Sequence, residues 1–228
     1  MSLEDNINNV KERIENTCRK IGRDSNLVIL VAVSKTIPAE IIKAAIKNGI
    51  GHIGENRVQE AENKFNQMGR IATWHLVGHL QTNKVKKALQ VFDSIDSVDS
   101  FQLAQEISKY SVQLGRTVNC LIEVNTSGES SKFGVTPDKT LELAKKIALL
   151  PAIQIKGLMT IGAFLPDPED VRPCFKLLRE LRDNIESIDV ENVEMKYLSM
   201  GMTDDFEVAI EEGANMIRVG RAIFGERH

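Results

Sequence analysis

The chain has 228 residues, 42% of them apolar and 27% charged, with a formal net charge of −3. That length reads as one domain over 1–228 with room for a sizeable core. The small negative charge argues against broad nucleic-acid binding, and one Trp and two Tyr leave little surface for stacking single strands.

The opening stretch, "MSLEDNINNVKERIENTCRKIG", reads as a polar helix with apolar residues at Leu3, Ile7, Val10, Ile14 and Ile21. It lacks an apolar signal core, and no later run approaches the length of a membrane span. Cys18, Cys120 and Cys174 are dispersed without C-x-x-C spacing, so neither a zinc site nor a redox pair is indicated. A cytoplasmic protein without membrane contact is expected.

The first strand, "LVILVAV" (27–33), runs straight into Ser34 and Lys35. A helix pattern then opens on Pro38 and closes on Gly49. Further strands are expected at 51–55, 73–78, 94–98, 118–124, 155–161, 195–200 and 215–220, with helical patterns between them. The last long helical pattern begins near Thr203, a candidate N-cap. Eight strands alternating with helices predict an α/β fold, a (β/α)8 TIM barrel with an extra N-terminal helix. The alternative is an open doubly wound sheet. That fold often carries a glycine-rich turn after an early strand, and "SKTIPAE" has no glycine.

In such a barrel, chemistry gathers where strands end. Lys35 ends the first strand; an amine desolvated there would be more often neutral and able to attack a carbonyl. Its partner would be a sugar-like substrate or the aldehyde of pyridoxal phosphate. The last two strand-to-helix turns are the usual place for a phosphate in this fold. They offer the Ser199 hydroxyl, a flexible Gly201, Thr203 and Gly220. Asp204 and Asp205 would have to face away from a phosphate. Arg218, inside the apolar run "MIRVG", demands a partner if it points inward; arginine is a known partner of the pyridine nitrogen of pyridoxal phosphate. Arg57 and Arg221 read as solvated. Asn56 is either a donor to a ring oxygen or a helix cap. His75 and His79, four apart, straddle a strand end, which disfavours a metal site; His79 is a candidate for the pocket mouth. Lys132, on the polar loop "NTSGESSKFGVTPD", is a secondary candidate amine.

Together "VAVSKT", "HIGENRVQE", "WHLVGHLQTNK", "SKFGV", "LMTIG" and "YLSMGMTDDFEVAIEEGANMIRVGRAIFG" resemble the pyridoxal-phosphate homeostasis protein family, single-domain relatives of the alanine racemase barrel. The resemblance runs from about Leu27 to Gly225. It implies pyridoxal 5'-phosphate as cofactor, a Schiff base on Lys35, and a phosphate held by Ser199, Gly201, Thr203 and Gly220. It also implies Arg218 at the ring nitrogen. The implied role is to buffer or deliver the cofactor, with enzymes that depend on it as candidate recipients. A racemase is the alternative. In alanine racemase the second base is a tyrosine supplied across a dimer that involves an extra C-terminal domain, and this chain ends at His228, so a monomeric carrier is expected. A Schiff-base aldolase is a third reading, better suited to a lysine on a central strand.

Overall fold

Helix α1 (Leu3–Lys20) begins at a reciprocal cap: the Asp5 amide donates to Ser2 Oγ and the Ser2 amide to Asp5 Oδ2. Ile7, Val10, Ile14 and Cys18 recur at helical spacing and are buried. Each of the three aliphatic side chains contributes roughly 1.5–3 kcal/mol by leaving water. Ile21, expected on the same side, is the C-cap and is exposed. The computed structural model describes residues 2–225.

Beyond α1, strands and helices alternate: β1 (Ile29–Val33), α2 (Ala39–Lys47), β2 (His52–Glu55), α3 (Val58–Met68), β3 (Thr73–Leu76) and α4 (Val85–Val91). They continue as β4 (Ser94–Val98), α5 (Phe101–Gln113), β5 (Val118–Glu123), α6 (Thr140–Ala148), β6 (Ile153–Met159) and α7 (Arg172–Ser187). β7 (Val193–Ser199), α8 (Phe206–Glu211), β8 (Met216–Val219) and α9 (Arg221–Phe224) complete the series. Every strand pairs in parallel with its sequence neighbours, and β8 returns to β1, so the sheet closes into the expected eight-stranded barrel. Helix α1 lies outside it, against α8 and α9, and Asn6 donates to the Ile223 carbonyl.

Some strand limits differ from expectation. β1 starts at Ile29 because Asp24 caps a tight turn over Ser25–Leu27. β6 and β7 each start earlier than their apolar runs suggest. Ile161, expected inside the sixth strand, lies beyond the end of β6 and faces the cavity described below.

Side chains alternate across each strand. Val31, Leu121, Met159 and Met216 form an inner apolar cluster. Ala32, Ile53, Trp74, Ile95, Leu198 and Ile217 belong to the outer core beneath the helices. Val31 is in register with both His52 and Arg218, which places all three on the inner face. Among the described residues no helix is long and apolar enough to cross a membrane.

Candidate functional site

At the C-terminal ends of the strands lies a cavity of about 360 Å³. Lys35 reaches it from the end of β1, Asn56 from the end of β2, and Thr203 from the segment after β7. Arg218 on β8 and Gly220 just beyond it complete the polar side. Val77, Ile161, Phe164 and Met202 supply apolar wall.

Arg218 is only 4% exposed, a buried charge that needs compensation. Its guanidinium donates to Ser199 Oγ and to the Thr160 carbonyl, both at 2.7 Å. Burial lowers its pKa, while Asp96, Glu123 and Asp205 pull the other way; an arginine stays protonated under such conditions. Burial pushes Glu123 up to about 7, with Asp99 adding to the effect and Arg218 opposing it. On the inner face of the neighbouring strands, His75 Nδ1 lies 2.8 Å from Asp96 Oδ2, and His52 Nδ1 lies 3.0 Å from His75 Nε2. The lumen therefore holds an apolar cluster and a connected polar set side by side.

The turn that carries Lys35 is held from outside the barrel. The Lys64 ammonium, on α3, donates to the Ser34 carbonyl at 2.6 Å, to Glu55 Oε1 at 2.6 Å and to Glu60 Oε1 at 2.7 Å. Ser34 Oγ also donates to Glu55 Oε1, at 2.6 Å, and the Thr36 amide donates to Glu60. Burial raises the Glu55 pKa, against the hydrogen bonds from Lys64 and Ser34. Burial also works against Glu60, yet Lys64 and the Thr36 amide hold its carboxyl below the ordinary value. Thr36 has φ of 68°, a region that β-branched residues avoid. A conformation of that kind costs on the order of 1–3 kcal/mol and persists only where its surroundings impose it.

The segment after β7 differs from the sequence expectation. Thr203 does not cap a helix; α8 starts at Phe206, and the Asp205 carboxylate accepts the Met202 amide to close a turn before it. Gly201 opens that turn at φ 90°, where a Cβ would lie 2.6 Å from Ala209 Cβ. Asp204 and Asp205 border the cavity, yet Asp205 is spent on its own turn and Asp204 pairs with Arg221. Arg221 is exposed, as expected, and also borders the cavity. From α1, Arg13 donates to the Thr203 carbonyl at 3.3 Å and to Glu207 at 2.6 Å.

The alanine racemase N-terminal domain family model matches residues 2–228. The pyridoxal phosphate homeostasis protein of Aquifex aeolicus is 44% identical over 228 residues, covering 100% of this chain and 99% of that protein. The chain belongs to the pyridoxal phosphate homeostasis protein family. The crystal structure of an unknown protein from Bifidobacterium adolescentis superposes with a TM-score of 0.94 at 41% identity, over 97% of this chain and 94% of that one. PipY of Synechococcus elongatus, solved with PLP bound, gives 0.83 at 34% identity, over 93% of this chain and all (100%) of that one.

For a member of this family, the barrel gathers five of the sequence candidates at one cavity: Lys35, Asn56, Thr203, Arg218 and Gly220. Asn56 Oδ1 is buried with no hydrogen-bond partner among the described residues. Asn56 is held in place by close approach to Gly78, where a Cβ would lie 2.5 Å from the Asn56 carbonyl oxygen. Ser199 and Gly201 stand behind the wall: Ser199 accepts from Arg218, and Gly201 packs against Phe206 and Ala209. Lys132 and His79 do not line the cavity. The Lys132 ammonium binds Glu129 Oε1 at 2.6 Å and the Gly162 carbonyl at 2.8 Å, 4.7 Å from the Phe164 ring centroid. His79 stacks on Phe133 at 3.9 Å and lies 3.2 Å from Asp99. Among the described residues no group of three or more His, Cys, Asp or Glu side chains could hold a metal ion.

Sequence reasoning placed Glu55 at a strand end without giving it a role, and it missed Lys64, Glu60, Asp96 and Glu123. The helical spacing of Glu60 and Lys64 was a signal for their pairing. Asp96 and Glu123 sit in short strand patterns, where alternation marks an inward carboxylate only once the register is known.

Proposed function

We propose that this chain binds pyridoxal 5'-phosphate in the cavity through a Schiff base on Lys35, and that it keeps or hands on the cofactor in the cytoplasm without turnover of its own. The residues present fit that group. A cavity of about 360 Å³ lies within the range of small-ligand sites, and the orphaned Asn56 Oδ1 awaits a polar partner. The cofactor supplies an aldehyde. Lys35 would supply the amine for that carbon, with the aldehyde oxygen and the two amine protons accounted for as water, so that no oxidant would be needed. Arg218, fixed by Ser199 and Thr160, would stand at the ring nitrogen. Thr203, Gly220 and the turn opened by Gly201 would hold the phosphate, with Arg221 adding positive charge. The observation that carries this reading is a lysine and a fixed arginine on one cavity wall, in a chain 34% identical to a protein solved with PLP bound.

A racemase needs a second acid or base on the far side of its substrate. Tyr110 lies on the outer helix α5 and Tyr197 packs against the inner apolar cluster, and neither lines the cavity. A permanent positive charge at the ring nitrogen would also oppose its protonation and weaken the electron sink that amino-acid chemistry uses. Both points favour a carrier, whose recipients would be enzymes that depend on the cofactor. The test uses the cofactor-loaded protein. Mixed with a cofactor-free enzyme, it is expected to restore that enzyme's activity; mixed with single-enantiomer amino acids, it is expected to leave them unracemised. Sustained racemisation over many equivalents would overturn the carrier reading.

A further inference from the structure

Lys35 is flanked by two residues whose backbones are tied to one buried ammonium. On its N-terminal side, the Ser34 carbonyl accepts from Lys64 and the Ser34 hydroxyl donates to Glu55, itself bound to Lys64. On its C-terminal side, the Thr36 amide donates to Glu60, whose carboxylate also accepts from Lys64. Lys64 is buried with its side chain 8% exposed, and Glu55 is fully buried. None of these three charged groups lines the cavity. Thr36 meanwhile holds a left-handed conformation that its own side chain disfavours. A buried cation with two carboxylates is a poor device for stability alone, since apolar replacements of the same shape often do as well or better. What this one does is fix a strained turn on both sides of the reactive amine.

We propose that Lys64 is a positioning residue for Lys35: through Glu55 and Glu60 it imposes the Ser34–Thr36 turn and so sets the approach of the Lys35 amine to an aldehyde carbon. This rests on the proposed Schiff base. In that step the Lys35 nitrogen forms the new bond to carbon, the carbonyl oxygen departs as water, and nothing is oxidised or reduced. Lys64 takes no part in the bond-making. Its effect is confined to ligands that can react with Lys35, because orientation matters only where a bond forms.

Two ligands separate positioning from a general loosening of the pocket. Pyridoxal 5'-phosphate has the aldehyde; pyridoxine 5'-phosphate has the same ring and phosphate but an alcohol in its place. Titration of Lys64→Met with both is expected to weaken pyridoxal 5'-phosphate about tenfold or more and to change pyridoxine 5'-phosphate by less than about twofold. Glu60→Ala leaves the Lys64–Glu55 pair intact while releasing the Thr36 amide, so it gives the same selective loss should Lys64→Met fail to fold. Equal weakening of both ligands would assign Lys64 to the pocket as a whole and overturn the inference, as would no change in either. Lys35→Ala serves as the control. If it left the preference for the aldehyde as in the unmodified chain, the Schiff base itself would be wrong; if it abolished that preference while Lys64→Met and Glu60→Ala did not, only the positioning role would fall.

Discussion

Arg218 and Glu123 show how single side chains set the character of the lumen. The guanidinium is placed inside by strand alternation, and its two hydrogen bonds aim it instead of letting it reach for water. Glu123 shares that interior, 3% exposed, with its Oε2 lacking a partner among the described residues. Burial, and then Asp99, raise its pKa from 4.5 to about 7 in spite of Arg218. The folded chain therefore keeps a proton that the unfolded chain releases across this interval. Stability from Glu123 is fully present below about 4.5 and is lost as the pH rises through 7, a span on the order of 3 kcal/mol. Denaturant unfolding of Glu123→Gln is expected to show a flatter dependence over that interval than the unmodified chain; parallel curves would mean that Glu123 titrates normally. Lys35 and Arg218 were legible in the sequence because each interrupts or ends an apolar strand, where a charge requires a reason. The partners of Arg218 were not, since Ser199, Thr160 and the facing carboxylates come from strands whose mutual register no local pattern records.

Among the elements, the segment between β7 and α8 carries the most consequence. Its helix was expected to begin near Thr203, because a threonine followed by acids has the composition of a helix start. Instead Gly201, at φ 90°, and the Asp205 carboxylate build a turn first, and the helix waits until Phe206. That turn leaves Thr203 facing the cavity rather than capping a helix. The extra helix α1 fastens the same segment through Arg13, which also lies 4.3 Å above the Phe206 ring. A methyl group at Gly201 would collide with Ala209 and Phe206. Gly201→Ala is therefore expected to cost roughly 1–3 kcal/mol in unfolding free energy and to weaken pyridoxine 5'-phosphate, which is held by its ring and phosphate contacts without a bond to Lys35. Unchanged affinity for that ligand would remove the turn from the phosphate site. Helices were easier to read than their first residues: α2 follows Pro38 and ends before Gly49 as its sequence suggests, since both signals are local.

For the molecule as a whole, the alternation of eight short strands with helices called for a parallel sheet covered on both faces, and the glycine-free turn after the first strand favoured the closed barrel that the structure shows. Closure brings the first strand beside the last. That proximity is why Lys35 and Arg218, 183 positions apart in sequence (218 − 35), share one cavity. The clamp behind Lys35 stayed hidden for the opposite reason: it joins the end of β1, the end of β2 and the outer helix α3, and none of its members stands out alone. The most direct measurement is to load the protein with pyridoxal 5'-phosphate, reduce it with borohydride and map the labelled peptide by mass spectrometry. One pyridoxyl group on Lys35 is the expected result. A label on Lys132, Lys64 or another lysine instead, or no label at all, would contradict the account.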